Sequence, residues 1–92
     1  MSLKITEKNG VFFLMGNINS ITSNLLKKHM ELLVAHGHGI TMNIDLVKEI
    51  DSSGLLTLKN LYKNTLGKNQ NFWITGNGSK EIYADLESGN LV

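Results

Sequence analysis

The sequence contains neither cysteine nor proline. Without cysteine the chain can form no disulfide, no thiolate zinc site and no cysteine nucleophile, which is typical of a protein that folds in a reducing compartment. We therefore expect a cytoplasmic location. No proline, low-complexity tract or internal repeat divides the 92 residues. A chain of this length has room for one modest hydrophobic core, so we expect a single domain over residues 1–92.

An excess of charge of one sign and a long apolar run are also lacking. Nine lysine and arginine residues against eight acids give a formal net charge of +1, so no broad positive field is available to nucleic acid or to an anionic membrane. The longest apolar run, Val11 to Met15, is far too short to span a bilayer. We expect no direct binding to nucleic acid or to a membrane.

Two apolar stretches separated by Asn9 and Gly10 open the chain. Asn-Gly between apolar runs is a strong hairpin signal, because both residues tolerate positive φ. The sequence therefore predicts an antiparallel pair of strands at its beginning.

Helical spacing of apolar residues begins near Thr22. Ser20 or Thr22 can cap this helix, and Gly37 or Gly39 can end it. Its apolar stripe recurs at intervals of three and four and consists of Leu26, Met30 and Leu33, with Leu25 and Leu32 beside it.

Alternation of apolar and polar residues from Ile40 to Leu46 indicates a third strand. A second helix is predicted from Ser52, with Gly67 as its expected end, because apolar residues again recur at three and four. Phe72 to Thr75 is typical of a buried strand, and we place both Phe72 and Trp73 in or half in the core.

A turn at Gly76-Asn77-Gly78-Ser79 precedes a short third helix with Ile82, Tyr83 and Leu86 on its apolar side. The element order predicts an α/β fold with a mainly parallel four-stranded sheet, an N-terminal antiparallel hairpin and helices packed on the sheet. In such sheets, binding surfaces collect beyond the carboxyl ends of the strands. The segment from Lys48 to Gly54 is such a loop.

The loop sequence IDSSGL places a carboxylate and two hydroxyls at the start of a helix. The unpaired N–H groups and the positive dipole end there would stabilise a phosphate on Ser52. A structural role is the alternative, since Asp and Ser are preferred N-cap residues and either Asp51 or Ser52 could cap the helix. Catalysis by Ser52 is not expected, because the sequence places no histidine or lysine as its base.

From Ile40 to Leu66 the chain resembles the central part of the STAS domain family, in which a strand of the form xNxDL leads into a DSSGL loop and an apolar helix. The matching stretch here is MNIDLVKEIDSSGLLTLKNLY. Met15 to Asn19 is similar to the family's xGxxD turn, and the segment after Gly67 is similar to its glycine-then-strand region. The resemblance implies a STAS-like fold of the anti-sigma factor antagonist kind.

The resemblance also implies a bacterial protein-binding module in transcription regulation, with no enzymatic activity and no cofactor. Ser52, directly after the loop aspartate, corresponds to the phosphorylated residue, with Ser53 as the alternative. Unphosphorylated protein would bind an anti-sigma factor that is also a serine kinase, and a phosphatase would reset the switch. The implied partner-binding residues are Asn19, Asp51, Ser52, Ser53 and Gly54.

A second function fits the same resemblance, namely a STAS subunit bound to a transport ATPase, such as that of a lipid-trafficking ABC system. Two features differ from the usual family pattern. Asn19 stands where an acid is common, and the sequence stops at Val92, where longer members continue into a further strand and helix. From this stop we expect weak homodimerisation or partner docking through a C-terminal apolar patch near Trp73, Ile82, Leu86 and Leu91.

Histidines form the last candidate group. His36 and His38 could offer two imidazoles to a metal, but no third ligand is spaced to complete a site. We expect no metal site.

Overall fold

The computed structural model describes residues 2–88. Its strands and helices follow the predicted order: β1 (Leu3–Lys8), β2 (Val11–Ile18), α1 (Ser23–Ala35), β3 (Ile40–Ile50), α2 (Ser52–Gly67), β4 (Phe72–Thr75) and α3 (Ser79–Ser88). The strands form one sheet in the order β1-β2-β3-β4, in which β1 and β2 are antiparallel and the other neighbours are parallel. The predicted fold class is confirmed.

The opening hairpin turns at the predicted Asn-Gly pair. Asn9 has φ 54° and Gly10 has φ 83°, as a tight two-residue hairpin turn requires. Lys8 pairs with Val11 across the turn. The Gly10 N–H donates to the Glu7 carboxylate over 2.9 Å. The register that this turn sets directs Leu3 and Leu14 to the buried face of the sheet.

All three helices cover one face of the sheet. The crossovers β2-α1-β3 and β3-α2-β4 advance in the same direction across the sheet, and right-handed crossovers of that kind lie on the same side. Leu14, Met42 and Ile74, one from each of three neighbouring strands, are buried against the helices. The helices contribute to the same cluster the buried side chains of Leu26, Met30, Val34, Leu58, Leu61, Ile82 and Leu86.

Two expectations about apolar residues are wrong. Trp73 is 56% exposed, because alternation along β4 directs Phe72 and Ile74 to the core and Trp73 to the opposite face. Ile82 and Leu86 are only 9% and 1% exposed, so they belong to the core and form no surface patch with Trp73. Leu91 lies outside the described residues. Leu25 and Leu32 are also exposed on α1, beside its buried stripe.

The outer edge of β4 is partly closed by a side chain of α3. The Ile74 N–H donates to the Tyr83 hydroxyl over 2.6 Å. Because β4 pairs with β3 on its other side, this bond satisfies a backbone donor that would otherwise face outward at a sheet edge.

The longest helix between residues 2 and 88 is α2, with 16 residues. Within that range, no helix has the length and apolar character of a membrane span.

Candidate functional site

The loop predicted from Lys48 to Gly54 is shorter in the structure, because β3 continues to Ile50 and α2 begins at Ser52, so Asp51 alone joins them. This connection lies where the parallel strands β2 and β3 end side by side. Ile18 and Ile50 are paired as the last residues of these strands. α1 and α2 start within a few residues of this pair, so their amino-terminal turns share one edge of the sheet. This arrangement brings the turn after β2 next to the loop after β3, which the sequence could only suggest.

Asp51 is the N-cap of α2. Its backbone is extended, with φ −88° and ψ −175°, and its carboxylate accepts the Gly54 N–H over 2.8 Å. The Asp51 carbonyl accepts the Leu55 N–H over 2.8 Å, and the Asp51 N–H donates to the Ile18 carbonyl over 3.1 Å. Of the two capping alternatives left open by the sequence, the structure has Asp51 as the cap, and it ties the helix start to the end of β2.

Gly54 allows this close approach of helix and strand. A Cβ at this position would lie 2.3 Å from the Ile18 carbonyl oxygen and 2.8 Å from the Ile18 Cγ2. No side chain larger than hydrogen fits there without movement of the backbone. The buried Gly54 therefore holds the first turn of α2 against β2.

Ser52 and Ser53 are the first two residues of α2, and both are exposed. Neither hydroxyl makes a hydrogen bond to another group in the described part of the chain. Each is therefore accessible to the active site of another protein. A phosphate attached here would lie beside the positive end of the α2 dipole, which favours negative charge.

Asn19 has a structural role that the sequence reasoning missed. Its side-chain oxygen accepts the N–H groups of Ile21 and Thr22 over 2.9 Å and 3.0 Å. The Thr22 hydroxyl in turn accepts the Asn19 N–H and donates to the Asn17 carbonyl. An Asn that bonds backbone groups two and three residues ahead is a known turn signature, and this spacing was the signal that could have revealed it.

The expected side-chain cap of α1 is wrong in detail. Thr22 is the N-cap by position, but its side chain makes no capping hydrogen bond. Its hydroxyl is instead engaged with Asn17 and Asn19. The Ser23 hydroxyl donates to the Asn19 carbonyl. Asn19 thus organises the start of α1, at the same edge of the sheet where Asp51 organises the start of α2.

Exposed apolar side chains lie near the starts of both helices. Ile21 and Leu25 are exposed at the start of α1, and Leu56 is exposed at the start of α2. The site therefore combines two free hydroxyls, a capping carboxylate and apolar surface, a combination that suits contact with another protein.

The other candidate groups lie elsewhere. His36 and His38 follow the C-terminal end of α1, at the opposite edge of the sheet from Ser52, and His29 packs edge-on against Phe12 with ring centroids 5.4 Å apart. Between residues 2 and 88, no three His, Asp or Glu side chains form a group that could hold a metal ion. The segment after β4 forms the predicted turn, in which the Asn77 N–H donates to the Asp45 carboxylate over 2.8 Å.

Comparison with known proteins adds to this geometry. The model of the STAS domain family matches residues 1–89. No curated protein sequence matches the chain.

Three solved structures share the fold. The unphosphorylated anti-sigma factor antagonist SpoIIAA has 9% sequence identity and a TM-score of 0.63, with 94% of this chain and 98% of SpoIIAA covered. An anti-sigma factor antagonist from Mycobacterium paratuberculosis has 22% identity and a TM-score of 0.67, with 96% and 77% covered. A protein described as Mglu has 13% identity and a TM-score of 0.65 over 82% of this chain, which is 19% of that protein.

Proposed function

The chain belongs to the STAS domain family, whose model matches residues 1–89, and on that premise we propose that it is a protein-binding module of the anti-sigma factor antagonist kind, gated by phosphorylation of Ser52. The observation that carries this proposal is the exposed Ser52 hydroxyl on the first turn of α2. The adjacent Asp51 performs the capping, so within residues 2–88 the Ser52 hydroxyl has no hydrogen bond to lose when it is modified. Ser53 is the alternative acceptor.

The partner surface in this proposal is the sheet edge at which α1 and α2 begin. Asp51, Ser52 and Ser53 would present polar groups there, Gly54 would allow close packing, and Asn19 would shape the neighbouring turn. The partner would be an anti-sigma factor that is also a serine kinase, with a phosphatase for the reverse step. Two of the similar structures are named anti-sigma factor antagonists, which supports a partner of this class.

The negative charge of a phosphate on Ser52 would control partner binding. A phosphoserine adds about 1.5 to 2 negative charges at neutral pH. At Ser52 that charge would stand beside the Asp51 carboxylate in the middle of the contact. Like charges juxtaposed in an interface cost several kcal/mol. Phosphorylated protein would therefore release its partner, and dephosphorylated protein would bind again.

We propose a binding role without catalysis and without a cofactor. His36 and His38 are at the opposite edge of the sheet, too far along the molecule to serve Ser52 as a base. The proposal includes a single domain over residues 1–92 acting in the bacterial cytoplasm.

A second candidate function is a STAS subunit held permanently on a transport ATPase. The exposed apolar side chains of Ile21, Leu25 and Leu56 around the loop favour it, because permanent interfaces are more apolar than transient ones. In that case the same edge of the sheet would bind the ATPase, and Ser52 would be part of a constant contact.

The first test is modification and binding at Ser52 with the cognate anti-sigma kinase, identified by pull-down from native lysate. With ATP, that kinase should add one phosphate, and peptide mapping by mass spectrometry should find it on Ser52. In titration calorimetry, Ser52→Ala should keep the affinity of the unmodified protein. Ser52→Asp should lose at least about tenfold, roughly 1.4 kcal/mol.

Asn60→Asp is the matched control, since it adds the same charge on an exposed position of α2 two turns further along. It should leave the affinity unchanged. Equal affinities for Ser52→Ala and Ser52→Asp would exclude the electrostatic gate and would favour the transporter subunit. Phosphate found only on Ser53 would move the acceptor by one residue.

A further inference from the structure

The sheet face opposite the helices is open, and it is defined by three rows of paired residues. Phe13 pairs with Asn43, and Asn43 pairs with Thr75. The Asn43 side chain donates to the Thr75 hydroxyl over 3.2 Å, so both side chains are on this face. Trp73 lies one row toward the hairpin, and Met15 lies one row toward the Ser52 edge. We call this surface the open face.

Large apolar side chains are concentrated on the open face. The exposed fractions of Phe13, Met15, Leu46 and Trp73 are 38%, 48%, 54% and 56%. Leu46 lies on this face because the pairing of β2 with β3 has a register shift. From Phe13 to Met15 the chain of β2 advances by two residues, whereas from Asn43 to Leu46 the chain of β3 advances by three. A regular strand would have turned Leu46 toward the core side.

Lysines outnumber acids on the open face. Alternation along β1 directs Lys4 and Lys8 away from the helices, and Lys48 at the end of β3 lines a cleft together with Lys4. The carboxylate of Asp45 is already engaged by the Asn77 N–H. Glu7 lines a cleft on the helix side beside His29. Glu49 pairs with Asn17 and lines the same cleft as Lys48 at the free edge of β3.

The cleft between Lys4 and Lys48 has a volume of about 480 Å³, with Met15, Gly16 and Asn17 in its walls. An acidic side chain could enter it and meet an ammonium group on either side, while apolar neighbours of that side chain would cover Met15 and Phe13. The size of the face also points to a single segment. Four strands spaced about 4.8 Å apart make a face about 15–20 Å wide, which suits one helix about 10 Å across.

We propose that the open face docks an acidic amphipathic segment of a partner protein, with carboxylates at the Lys4–Lys48 cleft and apolar residues on Phe13, Met15, Leu46 and Trp73. A second copy of the chain is disfavoured, because it would bring further lysines to this surface. The site is separate from Ser52 and does not rest on the proposed phosphorylation.

Trp73 makes the proposal directly testable, since it is the only tryptophan in the sequence and its emission reports burial of the open face. A random 16-residue peptide library displayed on phage would be selected on the full chain. The enriched peptides should carry Asp or Glu between apolar residues. The most enriched one, made synthetically, should shift Trp73 emission to shorter wavelength and saturate at micromolar concentration.

Reversing the charge of Lys4 and Lys48 tests whether the peptide binds at the open face or non-specifically to the protein surface. The double variant Lys4→Glu/Lys48→Glu should weaken the selected peptide at least about tenfold, and a peptide with Lys in place of its acids should restore binding to that variant. Lys27→Glu/Lys28→Glu is the matched control on exposed positions of α1, and it should bind the selected peptide as the unaltered chain does. Circular dichroism of each variant checks that the fold is kept.

Several results would overturn the proposal. Enriched peptides without an acidic excess would do so, as would binding that leaves Trp73 emission unchanged. Equal loss in the two double variants would show a general charge effect. Vesicles of phosphatidylcholine and phosphatidylglycerol in a 3:1 ratio form the last arm: a Trp73 shift on these vesicles, with none on the selected peptide, would assign the open face to a membrane surface instead.

Discussion

Asp51 and Ser52 are neighbours in the chain but have different surroundings. The Asp51 carboxylate accepts the Gly54 N–H, and its backbone N–H is bonded to the Ile18 carbonyl. The Ser52 hydroxyl faces outward from the first turn of the helix. A helix has one N-cap residue, whose side chain accepts one of the free N–H groups at the helix start. Because Asp51 fills that role, a change at Ser52 can alter binding with little effect on the stability of α2.

Asn19 offers a prediction about the rate of phosphorylation. In Asn19→Asp, a carboxylate oxygen can accept the same two N–H groups, from Ile21 and Thr22, so the turn should be kept. The added charge can pair with a basic group of a kinase or orient the acceptor serine. We expect faster phosphorylation of Ser52, measured by phosphate incorporation over time with the cognate kinase. An unchanged or lower rate would mean that the acid common in the family has no part in this reaction.

Tyr83 offers a prediction about stability. Its hydroxyl accepts the Ile74 N–H at the free edge of β4. Tyr83→Phe should lower the free energy of unfolding by about 0.5–1.5 kcal/mol, the net contribution of a typical hydrogen bond. Urea denaturation measures the change. Tyr62→Phe is the matched control, because the Tyr62 hydroxyl makes no hydrogen bond within residues 2–88, and an equal loss in both variants would contradict the role given to Tyr83.

At the scale of elements, the start of α2 is held by packing against β2 as much as by its cap. The Asp51 N–H bonds to the Ile18 carbonyl, and Gly54 lies against the same residue. Ile18 itself is fully buried. The first turn of α2, which carries Ser52, is therefore well anchored to β2, and the serine is presented on a rigid support.

Two glycines of α2 allow a matched test of this anchoring. In Gly54→Ala, the new Cβ would lie 2.3 Å from the Ile18 carbonyl oxygen, and we expect a net loss of about 1–3 kcal/mol in the free energy of unfolding. In Gly67→Ala, the new Cβ would meet nothing within 4 Å, and removing glycine from a helix should stabilise by up to about 1 kcal/mol. Urea denaturation of both variants measures the change in the free energy of unfolding. A higher free energy of unfolding for Gly54→Ala would show that the contact with β2 is looser than described.

At the scale of the whole molecule, one cluster of buried side chains joins the sheet to all three helices. Leu86 of α3 belongs to it and is 1% exposed. A change at Leu86 therefore acts on the core. The cluster leads to a prediction about unfolding.

Leu86→Ala should lower the free energy of unfolding by about 2–5 kcal/mol, as is usual for a buried leucine. Leu66→Ala, at an exposed position of α2, should change it by less than about 0.5 kcal/mol. Circular dichroism and Trp73 fluorescence should give coincident urea transitions in each case. If α3 unfolded in a separate, earlier transition, the proposal of a single domain would be wrong.

The sequence by itself determined the order of the elements, because the periods of helix and strand and the Asn9-Gly10 turn are local properties of the chain. It also located the connection that holds Ser52, because Asp51-Ser52-Ser53-Gly54 stands between a segment of strand period and a segment of helical period. The local pattern was not sufficient for Phe72 and Trp73, because both are large and aromatic. Only the register of β4 against β3 determines that Phe72 is buried and Trp73 is exposed.

Tertiary structure alone decided which groups meet. Asn19 and Asp51 lie 32 positions apart in the chain, and they share one edge only because β2 and β3 pair in parallel. The shift that turns Leu46 outward and the 2.3 Å approach at Gly54 also depend on neighbouring strands. The physical reason is that hydrogen-bond register and close packing are relations between distant segments. A one-dimensional pattern records the residues of each segment and does not record how the segments are aligned.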